Sequence, residues 1–85
     1  MHIELRFFAS VREAVGVANE RIELPAGVTT VDAVREHLID RGGVWRTALG
    51  HERALRTAFN HVMCDPGTEV KEGGEVAFFP PVTGG

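Results

Sequence analysis

The residues best suited to chemistry stand at the end of the sequence, Gly84 and Gly85. Glycine has no side chain, so such a tail can thread a narrow tunnel in a partner protein. The α-carboxylate of Gly85 is ionised at neutral pH, with a reference pKa of about 3.3–3.7. Once it is activated, for example by adenylation, it can accept sulfur and become a thiocarboxylate. The pair alone is weak evidence, because chain ends are commonly frayed and without function.

A predicted strand leads straight into this tail. Residues 75–79 alternate between two faces, and Pro80-Pro81 follow them directly. Proline has no backbone N–H to donate, so it ends sheet pairing and stiffens the exit of the chain. We therefore expect one folded domain over residues 1–79 and a flexible tail over residues 80–85.

A second candidate site is apolar. In the predicted first and last strands, alternation with a period of two buries one set of side chains. The other set includes Phe8 and Phe79, whose rings would lie close together near the start of the tail if the two strands are neighbours. Met63 would lie on the same face as these rings if the alternation of inward and outward side chains continues along the third strand. Exposed aromatic and methionine side chains grouped in this way favour a protein-binding patch over packing beneath a loop.

The sequence carries no motif of self-sufficient catalysis. Its four histidines lack metal-ligand spacing, and neither HExxH nor CxxC occurs, so we expect no metal site. Cys64 is the single cysteine and can form no internal disulfide, which favours a reducing, cytoplasmic compartment. We interpret Cys64 as a small buried apolar residue and Trp45 as a core side chain rather than a ligand platform.

Composition narrows the class further. The 85 residues make one small domain with a thin core and no room for a deep cleft of its own, so we expect neither an enzyme acting alone nor an intrinsic cofactor. The net charge of −3 and the scattered basic residues argue against nucleic acid. No apolar run approaches the roughly 18–20 residues that cross a bilayer, and the N-terminus lacks the pattern of a signal peptide.

The predicted elements run strand, strand, helix, then two or three further strands. Pairing the first and last strands at the centre, with the main helix across one face, gives an α+β domain with a mixed sheet of four to five strands. That arrangement is the β-grasp, or ubiquitin-like, fold.

Strands are predicted at 2–8, 21–24, 55–64 with a bend near Asn60-His61, and 75–79, with an edge piece at 69–70. Residues 10–16 are interpreted as a turn or one helical turn, closed by Gly16. The main helix runs from Thr29 or Thr30 to Gly42-Gly43, and a short helix holds Trp45 and Leu49.

The closing run Glu75–Gly85, EVAFFPPVTGG, resembles the C-terminal signature of the MoaD-type small subunits of molybdopterin synthase, within the MoaD/ThiS family of ubiquitin-like sulfur carriers. FFASVRE at residues 7–13 resembles that family's first strand and the turn after it, and Thr30-Val31 and residues 58–60 also fit. The likeness covers nearly the whole chain. One departure is Gly73-Gly74-Glu75, where the family usually has Gly-Asp-Glu, and it concerns the local turn rather than the tail.

This resemblance implies a mechanism. An activating adenylyltransferase related to those of ubiquitin would use ATP to adenylate Gly85, and a sulfur donor would convert it to a thiocarboxylate. The tail would then enter the large synthase subunit and give sulfur to cyclic pyranopterin monophosphate, building the dithiolene of the molybdenum cofactor. The resemblance also implies an assembly of two large and two small subunits. By position, Thr83 and Gly84 would thread the tunnel, and the partner contacts would come from Phe8, Met63, Phe79, Pro80 and Pro81.

Other interpretations share the same fold and tail. The chain could be a sulfur carrier of another pathway, such as ThiS-type thiamine synthesis or cysteine synthesis, although the Phe-Phe-Pro-Pro-Val-Thr run favours the molybdopterin pathway. It could be a ubiquitin-like modifier joined to lysines through Gly85. It could also be a plain binding module whose tail does nothing.

Overall fold

The computed structural model describes residues 1–81, and the predicted tail positions Thr83, Gly84 and Gly85 lie outside the described residues. The boundary between domain and tail therefore stays a prediction. Along the chain the elements are β1 His2–Phe7, α1 Ala9–Val15, β2 Asn19–Glu23, α2 Val31–Ile39, α3 Val44–Leu49, β3 Arg56–Phe59, β4 Val62–Met63 and β5 Glu75–Phe79.

The five strands form one mixed sheet in the order β2-β1-β5-β3-β4. β1 and β5 run parallel side by side, with Leu5 opposite Val76 and Phe7 opposite Phe78, and every other pairing is antiparallel. The first and last strands of the chain are thus neighbours, as predicted, and the α+β, β-grasp prediction is confirmed.

The core lies between this sheet and the helices. Inward-facing side chains of β1 and β5 meet Val34 and Leu38 of α2 and Leu49 of α3, all of them almost fully buried. Burying one such side chain contributes about 1.5–3 kcal/mol. Because the helices cover one face of β1 and β5, the other face stays uncovered, and Phe8 and Phe79 lie on that uncovered face.

Helix α2 begins after Thr30 rather than Thr29. Thr30 has extended backbone angles, and its Oγ1 accepts a hydrogen bond from the Ala33 N–H at 3.1 Å, which satisfies one free donor of the first turn. The helix ends at Ile39, and the chain then reverses through Gly42 and Gly43, whose φ angles are 75° and 57°. Left-handed angles of this kind favour glycine, as the sequence predicted for the helix stop.

The helical alternative for residues 10–16 is confirmed, although the helix is longer than the one turn predicted. Helix α1, Ala9–Val15, has 7 residues and buries Val11 against the core. Gly16 ends it with φ 84°, and its N–H donates to the Arg12 carbonyl at 2.9 Å. Helices this short gain most of their stability from tertiary packing, so the local sequence pattern alone predicts too short a helix.

The predicted single strand over residues 55–64 is wrong. Asn60 and His61 both have positive φ, 49° and 70°, and Phe59 pairs directly with Val62. Two consecutive left-handed residues make the tight turn that suits the twist of a hairpin. The expected bend is therefore a complete reversal that separates β3 from β4. Glu69 of the predicted edge piece forms a single bridge to Thr30 instead of a strand.

Trp45 is a core side chain, as predicted, and it is held from two sides. Its ring packs edge-on against Phe7 at 5.5 Å between centroids, and the Arg41 guanidinium lies 4.5 Å from the Trp45 ring centre. Arg41 also donates two hydrogen bonds to the Glu20 carboxylate, at 3.0 and 2.6 Å. These contacts join the edge strand β2 to the loop between α2 and α3.

Candidate functional site

The face of the sheet that points away from the helices is polar at one end and apolar at the other. Across its polar part, Arg21 lies 3.5 Å from the Glu4 carboxylate and Arg6 lies 3.6 Å from that of Glu75. The apolar part lies at the end of the sheet where β5 finishes. The predicted site residues fall in this apolar part.

Phe8 and Phe79 lie against each other there. Their ring centroids are 6.3 Å apart and the rings are nearly perpendicular, at 88°, which is a favoured edge-to-face arrangement. Phe8 follows β1 directly and remains extended, and its N–H donates to the Phe78 carbonyl at 3.3 Å. Its side chain is 42% exposed, which is high for a phenylalanine. The parallel pairing of β1 with β5 thus produces the proximity that the sequence predicted.

Met63 lies on the same face, 56% exposed. It reaches the site from β4, where it pairs with Ala58 of β3, rather than from a continuous third strand. A depression of about 370 Å³, called the apolar groove below, is lined by Phe8, Ala58, His61, Met63, Glu75, Ala77 and Phe79.

The polar end of the apolar groove is closed by Glu75. One of its carboxylate oxygens lies 3.6 Å from Arg6, and the other lies 3.5 Å from the Nδ1 of His61. Its backbone N–H donates to the Asn60 side chain at 2.8 Å, which ties the hairpin turn to β5. Arg6 also lies 5.5 Å from the Phe8 ring centre. Because the Glu75 charge already has basic neighbours, the groove presents mainly uncharged surface, which suits a protein side chain.

Pro80 and Pro81 are half-buried rather than fully exposed. Pro80 lines a small cavity of about 280 Å³ together with Val11 of α1, Ala48 of α3 and Leu55 of the following loop. The chain therefore leaves β5 along the helical side, with the apolar groove on the opposite side of the sheet. The roles predicted for these prolines in partner binding, and for Thr83, Gly84 and Gly85 in threading and sulfur transfer, remain predictions.

Cys64 lies away from the apolar groove. It is partly buried, and its Sγ is 3.8 Å from the Thr57 hydroxyl, at the side of a cleft of about 570 Å³ that also contains Arg35 and Asp65. Arg35 is engaged there, because it donates to the backbone carbonyls of Leu49 and Gly50 at 2.6 and 2.8 Å.

Among residues 1–81, no three His, Cys, Asp or Glu side chains are grouped so that they could hold a metal ion. Over the same residues, no helix has the length and apolar character needed to cross a membrane.

Sequence reasoning missed the residues between the aromatic walls of the groove. Ala58, Ala77, His61 and Glu75 line it, yet none was singled out. Ala77 and Glu75 share the face of Phe79 by simple alternation and could have been found from it. Ala58 and His61 depend on the reversal between β3 and β4, which the sequence pattern presented as one strand.

Two proteins of known function are similar in sequence to this chain over nearly its full length. The molybdopterin synthase sulfur carrier subunits of Haemophilus influenzae and Escherichia coli are 43% and 41% identical to the chain over 83 residues, which are 98% of this chain and 99% of each relative. These are similar over almost their entire length, so the likeness is not confined to the tail.

Solved structures show the same fold. In the complex of subunits 1 and 2 of the molybdopterin-converting factor from Helicobacter pylori, the matched chain has a TM-score of 0.69 and 27% identity, with all of both chains covered. The small archaeal modifier protein 1 of Haloferax volcanii has a TM-score of 0.74 at 24% identity over 95% of this chain and 98% of that one, and shows the fold alone. The ThiS family model matches residues 5–85, through the terminal Gly84-Gly85, and the chain therefore belongs to the ThiS family.

Proposed function

We propose that this chain is the sulfur carrier subunit of a molybdopterin synthase. The observation that carries the proposal is the position of the Phe8–Phe79 pair, a partly exposed aromatic surface at the end of β5. From that point only six residues of sequence lead to Gly85. The identity of 41–43% to two carriers of this name, over nearly the whole chain, supports the same function.

The chemistry is assigned to the α-carboxylate of Gly85. Its oxygen attacks the α-phosphate of ATP on an activating adenylyltransferase and displaces pyrophosphate. A donor of sulfide-level sulfur then displaces AMP, so a C–O bond breaks and a C–S bond forms without net oxidation or reduction. Transfer of the sulfur to cyclic pyranopterin monophosphate and hydrolysis restore the carboxylate. ATP serves the activating enzyme, and the carrier itself needs no cofactor.

The partner in the transfer step is the large synthase subunit, in a heterotetramer of two large and two small chains. The solved complex of subunits 1 and 2 from Helicobacter pylori supports this pairing, since its matched chain has this fold. The apolar groove, with Phe8, Met63 and Phe79, supplies the docking surface. Catalysis takes place in the large subunit, so the carrier is not an enzyme on its own. A cytoplasmic location agrees with the single cysteine.

Sequence identity to named relatives, rather than the fold, favours one of the alternative pathways over the others. Carriers of thiamine or cysteine synthesis share the fold and the Gly-Gly end, so membership of the ThiS family does not separate them. The two curated relatives are both named for molybdopterin synthase, which favours that pathway. A modifier function is favoured by no observation beyond the shared fold.

The test is to incubate the full chain with an activating enzyme, ATP and a sulfur donor and to fragment its C-terminal peptide in a mass spectrometer. Replacing oxygen by sulfur at Gly85 adds about 16 mass units, the same change as one methionine or cysteine oxidation, so the position must be localised. We expect the change at Gly85, and molybdopterin after the large subunit and precursor are added. Slower-migrating conjugates on lysines, with no thiocarboxylate, would support a modifier instead.

A further inference from the structure

The floor of the apolar groove is made of two alanines. Ala58 of β3 and Ala77 of β5 are direct partners in the antiparallel register, and Met63 of β4 pairs with Ala58 on its other side. On the same face of β5, Ala77 is flanked by Glu75 and Phe79, which both carry long side chains. The row of alanines therefore forms a notch, a shallow depression between taller side chains.

The shape and polarity of this notch limit what can occupy it. Both alanines are only 7% exposed although they face away from the helices, because the neighbouring side chains rise above them. The walls are Phe8, Phe79 and Met63, and the Glu75 carboxylate at the end already lies beside Arg6 and His61. A charged occupant would lose its hydration against the apolar walls and would meet no unpaired charge among the residues that line the groove, whereas an apolar one would fill the space.

We propose that the notch receives one large apolar side chain, of the size of leucine or phenylalanine, projecting from the large synthase subunit. This inference rests on the proposed function, which supplies the partner. Ala58 and Ala77 act as specificity-determining residues, since their small size leaves the room. The floor is continuous with the docking surface of Phe8, Met63 and Phe79, and a buried anchor in a pocket is the usual centre of a protein interface.

Filling the notch tests this arrangement. In Ala77→Leu and, separately, Ala58→Leu, the added side chain occupies the space of the anchor, and the affinity of the full chain for the large subunit is measured by titration calorimetry. We expect each variant to bind at least roughly tenfold more weakly, because a clash excludes the partner. The matched control is Ala26→Leu in the exposed loop after β2, which should change the dissociation constant by less than about twofold.

A flat apolar patch would respond in the opposite direction. There an added leucine enlarges the buried apolar surface, so the affinity would rise or stay the same. Unchanged or tighter binding by either leucine variant, with its cooperative thermal unfolding retained, overturns the notch while leaving the proposed function standing. Absence of binding by the unaltered chain overturns the proposed function and the notch with it. The two leucines are introduced on different strands, so a single variant that folds is sufficient to distinguish a notch from a flat patch.

Discussion

The ring of Phe59 covers Gly74. A Cβ atom added at Gly74 would clash with the Cζ of Phe59 and lie 3.0 Å from the backbone oxygen of Lys71. Gly74 is buried, and Phe59 on β3 is partly buried against the core. This contact gives a physical reason for the departure from the Gly-Asp-Glu pattern, because the space for an aspartate side chain is filled by the Phe59 ring.

Gly74→Ala should destabilise the fold by about 1–3 kcal/mol, since the ring must move out of its packed position to admit the new methyl group. Gly74→Asp should have at least the same effect. In a Phe59→Val background the cost of Gly74→Ala should fall by more than half, which a double-mutant cycle measures directly. Urea unfolding followed by the fluorescence of Trp45, the single tryptophan, provides the free energies.

Gly67→Ala is the matched control for this cycle. A Cβ at Gly67 meets nothing within 4 Å, and the residue is exposed. Its replacement should leave the free energy of unfolding within about 0.5 kcal/mol, or raise it slightly by restricting the unfolded chain. Equal costs at Gly67 and Gly74 would contradict the proposed role of Phe59.

The parts of the fold that the sequence predicted well are those with strong periodic signals. Alternation in β1 and β5 separates buried from open side chains without ambiguity, and the spacing of Val31, Val34 and Leu38 matches one helical face. The full length of helix α1 and the complete reversal between β3 and β4 are not predicted, for different reasons. The first owes its stability to packing of Val11, and the second depends on two left-handed residues, neither of them glycine.

Some residues of the candidate site can likewise be predicted from the sequence, and others cannot. Phe8 and Phe79 follow from alternation plus the pairing of neighbouring strands, so their proximity could be predicted. The alanine floor could not, because a small side chain gives no signal until the register places Ala58 opposite Ala77. The roles of Gly84 and Gly85 rest on residue type, position and the resemblance of the tail, and stay predictions, since both lie outside the described residues.

Deleting Gly85 should abolish sulfur transfer and leave the fold intact. The new terminal carboxylate would be short of its former reach by about 3.3–3.6 Å, the length of one extended residue, so it would miss the site of adenylation. The free energy of unfolding should change by less than about 0.5 kcal/mol, since no core residue is altered. Molybdopterin formation in a reconstituted assay measures the first effect; retained synthesis by this variant would refute the role of Gly85.

Phe79→Asp should weaken binding of the large subunit by at least roughly tenfold, because it places a charge where an aromatic ring would be buried. The matched control is Val44→Asp at the start of α3, a residue 51% exposed on the helical side. That variant should bind normally. If both variants bound like the unaltered chain, in surface plasmon resonance for example, the docking surface would have to lie elsewhere.

Arg41 should stabilise the fold through Glu20 and Trp45 together. Arg41→Met removes two hydrogen bonds to a half-buried carboxylate and the contact with the Trp45 ring, and should cost about 1–2 kcal/mol. Arg21→Met is the matched control, because Arg21 is 73% exposed and pairs with Glu4 by a single contact at 3.5 Å, worth at most about 0.5 kcal/mol.

The pH dependence of this effect follows from the direction in which folding shifts the pKa of Arg41. The hydrogen bond that Arg41 donates to the Glu20 carboxylate, opposed by partial burial and assisted by the carboxylate charge, raises the pKa of Arg41 above its usual value. A group whose pKa is raised by folding contributes its full stabilisation below its unfolded pKa and loses it only as pH rises through the folded value. The difference in the free energy of unfolding between the unaltered chain and Arg41→Met should therefore stay constant from about pH 6 to 10, which lies below the raised pKa of Arg41. Thermal unfolding across this range measures it, and a loss of the difference within the range would contradict the contribution of the charged Arg41 side chain.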